Sequence, residues 1–367
     1  MSTFETAVIG VGSPPDQDAP GYSIGYAHGN AYRDHPDCEL VACADVVRDH
    51  AESFAAEFGI DTSRAYEDYR ELLSSVEPDL LSVCTPPDSH APIVVDCARQ
   101  GVVDGIHCEK PMAVDWSECG LMVRECDRRG VQLTFNHMRR FHPRWRAPKR
   151  LIDDGVIGEV ERIETTAPDL LDWGTHCFDL CGMYAGDRPG QWVFGQVAEA
   201  VPDAYGGAYD HHTESQALAM WEYEDGVVGI ASTGEGTDAL GPNRVHHRIR
   251  GTEGVAEVGW HDAAVRYRQR GDGEWSEIEF DRRDDANAVA HEGAIDDALT
   301  GLQTGTEPEL RANNALNATE LIFGIWESAR RRSPVELPLT IEGNPLEAMI
   351  DSGDLPVRDG TGTTDGS

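Results

Sequence analysis

The sequence predicts an α/β protein with an N-terminal doubly wound parallel sheet and a C-terminal α/β domain carrying a large, mostly antiparallel sheet. Three observations carry this. Apolar strand-like runs alternate with helical periodicity as far as residue 136, strand-like runs then follow one another with only turns between them, and 367 residues is enough chain for about two domains.

In order along the chain, Thr6–Gly10 is a short apolar strand ending in glycine, Ile24–Asp34 a helix, Glu39–Ala44 a strand and Arg48–Phe58 a helix. Leu80–Cys84, Gly105–Cys108 and Val131–Phe135 read as buried strands, separated by helices at Ile93–Arg99 and Trp116–Arg129. Runs of Val, Leu and Cys without alternation indicate a parallel sheet covered on both faces. Beyond residue 157 the strands are Glu159–Thr166, Trp192–Val201, Ser215–Tyr223, Val227–Ser232, Arg244–Gly251, Val255–Gly259, Val265–Gln269 and Trp275–Phe280. Turns such as Glu224-Asp225-Gly226 and Gly271-Asp272-Gly273 join them, as in an antiparallel sheet with one solvated face. Helices return at Ala286–Leu302 and Asn313–Arg331, the second expected to pack back on the first domain. The expected division is residues 1–136, 137–350 and a disordered acidic tail over 351–367.

Composition narrows the function. Asp and Glu total 66 against 30 Lys and Arg, a net charge of −36, and only Lys110 and Lys149 are lysines. Such a surface repels a phosphate backbone and an anionic membrane, so neither nucleic acid nor a bilayer is an expected partner. With 40% hydrophobic residues and sustained periodicity, the acid excess reads as a folded protein adapted to high salt, where screening relieves self-repulsion. The nine cysteines are scattered without a C-x-x-C pair, and no 18-residue apolar run occurs. Buried thiols in a reducing cytoplasm are expected, with no metal site: His211-His212 and His246-His247 lack an accompanying carboxylate or cysteine pattern.

The chemistry concentrates at strand ends. Gly10-x-Gly12 follows the first strand, as a turn that brings backbone against a pyrophosphate would require. The usual third glycine is displaced by an insertion, Ser13 to Ile24, and Gly25 is its candidate. Asp45, 20 residues after Gly25 at the end of the second strand, sits where an acid would hold a ribose 2′-hydroxyl and disfavour a 2′-phosphate. That points to NAD, while nearby Arg48 leaves NADP open. Cys84-Thr85-Pro86-Pro87-Asp88-Ser89-His90 breaks the next strand, and Cys108-Glu109-Lys110-Pro111 the one after. A chain that has discarded nearly every lysine keeps Lys110 at a strand end. Lysine can give up its proton when buried and arginine effectively cannot, which fits a proton-handling role. Asp172 and His176 are four residues apart at the expected start of a helix and can face one cavity, the imidazole suited to removing a hydroxyl proton.

Together, Gly10-x-Gly12, Asp45, Thr85-Pro86 with His90, Glu109-Lys110-Pro111, Arg139-Arg140-Phe141-His142-Pro143 and Asp172-x-Gly174-x-His176-x-x-Asp179 resemble the glucose-fructose oxidoreductase, inositol dehydrogenase and rhizopine-catabolism (Gfo/Idh/MocA) family over roughly residues 5–340. The resemblance implies NAD(P) chemistry on a sugar, sugar acid or cyclitol, an open sheet serving a dimer or tetramer, and Lys110, Asp172 and His176 as the catalytic group. It also implies that the first domain is a Rossmann domain and that Glu109 helps form the cofactor pocket, so Gly10, Gly12, Gly25, Asp45, Thr85, Pro86, His90, Glu109 and Lys110 are the expected cofactor residues. Asn136 and Arg139, which follow the sixth strand, Trp173, which can stack on a sugar face, and His212, which falls where family members line the substrate pocket, are the expected substrate residues. Two other readings keep the fold: transient oxidation during glycoside cleavage with no net redox, and a non-catalytic sugar or dinucleotide sensor.

Overall fold

The structure, a computed structural model, describes residues 3–15, 23–202, 211–234, 237, 245–259 and 263–358. Most of the insertion between Ser13 and Ile24 and the last nine residues lie outside these. The chain forms two compact units, residues 1–142 with 283–316, and residues 143–282 with 317–367.

The first unit contains β1 (Phe4–Ile9), α1 (Ile24–Asp34), β2 (Cys38–Ala44), α2 (Arg48–Phe58), β3 (Ala65–Tyr66), α3 (Tyr69–Ser75), β4 (Leu80–Val83), α4 (His90–Gln100), β5 (Gly105–Cys108), α5 (Trp116–Arg129) and β6 (Gln132–Phe135). The six strands are parallel in the order β3-β2-β1-β4-β5-β6, the doubly wound arrangement expected. Side-chain alternation sends Ala7, Ile9, Leu81, Val83, Ile106, Leu133 and Phe135 into one apolar core with Val94, Met122 and Ala315. Val8, Cys43, Leu80 and Cys84 enter another with Tyr32, Phe54 and Ile295. Two covered faces are why the central strands carry no polar–apolar alternation in sequence.

The second unit holds α6 (Pro143–Asp153), β7 (Val160–Ala167), α7 (Gly174–Tyr184), β8 (Gly190–Val197), β9 (Ala200–Pro202), β10 (His212–Glu214), β11 (Ala217–Tyr223), β12 (Val228–Thr233), β13 (Val245–Gly251), β14 (Gly254–Gly259), β15 (Val265–Gln269) and β16 (Ser276–Glu277). Nine strands form one sheet, β16-β15-β14-β13-β7-β12-β11-β8-β17, where β17 is Val335–Glu336. Every pair is antiparallel except β7 with β12. One face buries Ile163, Val193, Trp221, Ile249 and Ala256, with Phe178 of α7 lying 5.1 Å from the Trp221 ring. On the other, register lines up Arg266, Glu257, Arg248, Glu164, Ile230, Met220 and Phe194 in one row across seven strands. Arg248 donates to Glu257 at 2.8 Å and to Glu164 at 2.9 Å. At the apolar end, Leu218 is 67%, Phe194 41% and Met220 40% exposed.

Four sequence expectations change. The units are not contiguous in sequence: α8 (Ala286–Thr304) belongs to the first, because Ile295, Ala298 and Leu299 fill the core beneath α1. In α9 (Ala312–Arg331) only the first turn, with Ala312 and Ala315, packs in the first unit's core, and the helix from Asn317 onward belongs to the second. The expected strand Trp275–Phe280 shrinks to Ser276–Glu277. The tail is ordered through Arg358: after α10 (Pro345–Asp351), Leu355 is buried, Val357 bridges Ala200, and Arg358 donates to Glu199 at 2.8 Å.

Candidate active site

Strand register sets the edge of the first unit's site. Ile9, Val83, Cys108 and Phe135 stand opposite one another. The ladder continues one residue further, from Cys84 N–H to Ile9 O, Glu109 N–H to Val83 O and Asn136 N–H to Cys108 O, each 2.8 Å. Gly10, Cys84, Glu109 and Asn136 thus form a row at the carboxyl ends, at the switch point between β1 and β4 where doubly wound sheets take their ligands.

The glycines leave a cradle there. Gly10 and Gly12 hold φ of +80° and +70°. A Cβ on Gly10 would stand 2.5 Å from Thr85 Cγ2, and one on Gly25, in the first turn of α1, 2.6 Å from Val11 Cα. Only glycine permits the turn and the close seating of α1 on it, as the dinucleotide fingerprint demands despite the inserted residues. Asp45 is pinned by N–H donors, from Gly12 to Oδ2 and from Val47 to Oδ1, both 2.9 Å. Arg48 turns its Nε–H to Glu52 at 2.7 Å, and the residue after Asp45 is the apolar, exposed Val46. Among the described residues the edge therefore presents an acid, with His50 Nδ1 3.5 Å from Asp45 Oδ1 and Arg48 turned to Glu52. Thr85 Oγ1 and Asn136 Oδ1 are buried there without hydrogen-bond partners among the described residues, and Pro86 is exposed beside them. Glycine cradle, fixed acid and orphaned polar atoms fit a bound dinucleotide.

Other expected cofactor residues play different parts. His90 is completely buried, its Nε2 2.7 Å from Thr85 O and its Nδ1 3.0 Å from Pro111 O, so it ties together the two loops that follow β4 and β5. Burial pushes its pKa down, against the backbone carbonyls that raise it. Glu109 is buried as well. His28 Nε2 donates to its Oε1 at 2.9 Å, Asn136 Nδ2 donates to the same oxygen at 2.5 Å, and Lys110 N–H donates to Oε2 at 3.2 Å. Burial raises the Glu109 pKa, but the hydrogen bond and charge of His28 and the Asn136 amide outweigh it and hold the carboxyl far below the usual range. Asn136, expected at the substrate, is thus a buried partner of Glu109, while Lys110 and Arg139 are half-buried.

In the second unit, α7 begins at Gly174 with Trp173 as its N-cap residue, so Asp172 and His176 flank the helix start, both buried. Asp169 builds this turn by accepting Asp172 N–H at 2.6 Å and Trp173 N–H at 3.0 Å on Oδ1. Behind it, buried Glu214 accepts Leu170 N–H at 2.8 Å, Thr233 Oγ1–H at 2.9 Å and Trp326 Nε1–H at 3.2 Å. Burial and the charge of Asp169 push Glu214 up to about 8 against those bonds. Trp173 is the exposed side chain at the turn. His212, expected to line the substrate pocket, bonds through Nδ1 to Glu347 of α10 at 3.0 Å. His246 and His247 stack in the buried interior, 4.5 Å between rings, and no group of three or more His, Cys, Asp or Glu able to hold a metal occurs among the described residues.

Sequence reasoning missed His28, Asp169 and Trp326. A signal for the first existed: β4, β5 and β6 each bury a polar residue at the same register position, Ser82, His107 and Thr134. Polar groups in three adjacent buried strands require partners on the covering helix.

A fixed-φ glycine turn, an acid at the end of β2 and a lysine-bearing loop after β5 define a dinucleotide-binding Rossmann protein. Over residues 4–137 the chain matches the Gfo/Idh/MocA oxidoreductase family, NAD-binding Rossmann fold. It is similar to inositol 2-dehydrogenase of Rhizobium meliloti, 29% identical over 222 residues, 56% of this chain and 64% of that one. Myo-inositol 2-dehydrogenase of Thermotoga maritima is 25% identical over the same fractions. The matched segment thus spans about 64% of the length of these relatives. Among solved structures, an inositol dehydrogenase homolog of Azotobacter vinelandii, complexed with NADH and myo-inositol, shares the fold at a TM-score of 0.72 and 18% identity, over 92% of this chain and 98% of that one.

Proposed function

We propose that this chain is an oxidoreductase that transfers a hydride between NAD and a secondary alcohol or ketone of a sugar, sugar acid or cyclitol. The observation that carries the reading is the glycine cradle at the sheet's switch point, bordered by Asp45, with Arg48 turned to Glu52. NAD is accordingly preferred to NADP. The inositol dehydrogenases among the relatives support a polyol substrate.

Gly10, Gly12 and Gly25 hold the pyrophosphate by backbone approach and Asp45 the adenosine ribose. Bound nicotinamide supplies the hydride acceptor in one direction and the donor in the other. His176 takes the hydroxyl proton as the carbon is oxidised and returns it in reduction. Asp172 orients that imidazole or binds a neighbouring hydroxyl. Lys110 stabilises the oxygen as negative charge develops on it. Trp173 offers an aromatic face to a sugar ring. The exposed Phe194, Leu218 and Met220 on the open sheet suit a second copy of the chain, and the acidic, lysine-poor composition suits a saline cytoplasm.

A panel of sugars, sugar acids and inositols, each with NAD and NADP in molar salt, tests this through absorbance of the reduced nicotinamide. Polyol-dependent NADH formation is expected, and its absence with every member alongside measurable NAD binding would remove the catalytic reading.

A further inference from the structure

A buried polar cluster lies on the α1 and α8 side of the parallel sheet. It contains His28 and Tyr32 of α1, Ser82 of β4, His107 of β5, Thr134 of β6, Asn136 beyond it and His291 of α8, gathered around Glu109. The His28 ring lies 5.3 Å from that of His107 and 5.8 Å from that of His291. Buried polar groups in such number are costly unless they are satisfied together.

We infer that His28 is a positioning residue for the reaction: by pairing with Glu109 it keeps a buried carboxylate in place under the backbone of Lys110. This rests on the reading of Lys110 as catalytic. The geometry forms one relay. Tyr32 and His28 meet at Ser82, at 2.7 and 2.9 Å, which sets the imidazole so that Nε2 faces Glu109. Glu109 is anchored by its own N–H to Val83 O at 2.8 Å, and its second oxygen accepts Lys110 N–H. The chain from α1 to the lysine is thus His28, Glu109, then the Lys110 peptide.

The carboxylate's hydrogen bonds come from His28, the Asn136 amide and the Lys110 peptide. Burial pushes His107 down to about 3 and His291 down to about 4, so both are neutral, and His90 is lowered likewise. Burial raises Tyr32, Cys84 and Cys108, which are neutral too. His107 spends Nδ1 on Thr134 at 2.8 Å and His291 offers Nδ1 to the Asn136 amide at 3.2 Å. Of the three imidazoles, His28 is the one hydrogen-bonded to Glu109. Replacing it with glutamine removes the imidazole that bonds Glu109 and leaves burial to push the Glu109 pKa up.

The sign of the pH effect follows. In the native protein Glu109 has a depressed pKa, so its stabilisation is present above the unfolded value and lost only in strong acid. In His28→Gln burial is expected to raise that pKa above the unfolded value, so stability should be retained in acid and lost as pH rises. The full-length protein and its His28→Gln, Glu109→Gln and double variants are therefore melted between pH 5 and 9, with NAD affinity and turnover measured alongside. His28→Gln should melt lower by on the order of 5–10 °C at pH 8 and by clearly less at pH 5. The double variant should regain most of the loss at pH 8. Turnover of His28→Gln should fall at least roughly tenfold with NAD affinity within about threefold, as expected when a reacting group is misplaced. A melting loss equal at both pH values, or a double variant no better than His28→Gln at pH 8, would overturn the pairing. If His28→Gln does not fold at pH 8, recovery of folding in the double variant supports the pairing and failure to recover overturns it. Unchanged turnover in His28→Gln removes the positioning role. The melting and NAD-binding results hold without any polyol turnover, so failure of the pairing and failure of the proposed reaction are separately visible.

Discussion

Glu109 in the first unit and Glu214 in the second are both shut away from water, yet one is held ionised and the other is driven toward its neutral form. Each accepts three hydrogen bonds. What differs is the partner: His28 and the Asn136 amide bond Glu109 and outweigh burial, whereas at Glu214 burial, and after it the like charge of Asp169, prevails over the hydrogen bonds. Burial alone therefore does not decide a carboxylate's state in this protein. The tasks differ accordingly. Glu109 supports the peptide of Lys110 as an anion, and Glu214 holds the loop that leads to Asp172 as an acceptor whose charge is dispensable.

The largest expected effect breaks that comparison directly. Glu109→Gln should cost about 3 kcal/mol at neutral pH, because it leaves half of a buried pair uncompensated. Glu214→Gln, which trades a neutral acid for an amide of the same shape, should cost about 1 kcal/mol. Urea titration of both variants measures this, and equal losses would erase the distinction. Next in size, Lys110→Ala should reduce turnover about 100-fold while NAD affinity shifts less than about threefold, the signature of a group that acts in the transition state. A variant that loses NAD binding instead would assign Lys110 to the cofactor alone. The smallest effect is in pH. Glu214, raised from 4.5 to about 8, contributes stability that is complete below its unfolded value and lost as pH rises through the folded one. The stability of Glu214→Gln relative to the native protein should therefore improve by about 2 kcal/mol between pH 6 and pH 8. A difference that stays flat over that range would place Glu214 with Glu109 as an ionised acid.

The outline of both units is readable in the sequence because their signals are local. Apolar runs without alternation mark β4 and β5, and turn glycines mark the hairpins of the second sheet. The fingerprint glycines survive the inserted residues because Gly25 must meet Val11 wherever the intervening chain goes. The non-local parts are not readable. Nothing near His28 in sequence shows that it meets Glu109, 81 residues away, and nothing near Asp169 shows that Glu214 lies behind it. For the same reason Asn136 and His90 were assigned to ligands from their places at strand ends, although strand register and loop closure turn them inward. The placement of α8 escaped because its burial in the first unit depends on a face of the sheet formed more than 180 residues earlier.

The row across the open sheet, from Arg266 through Glu257, Arg248 and Glu164 to Ile230, Met220 and Phe194, responds to salt in two opposite ways along its length. At 1 M salt the Debye length is about 3 Å, so the outer arginines lose most of their pull on distant charges while buried Glu257 keeps its direct bonds. The same medium, where its ions are excluded from protein surface, makes the exposed Phe194 and Met220 less tolerant of water. Concentrated brine thus quiets the ionic half of the face and makes the apolar half more adhesive.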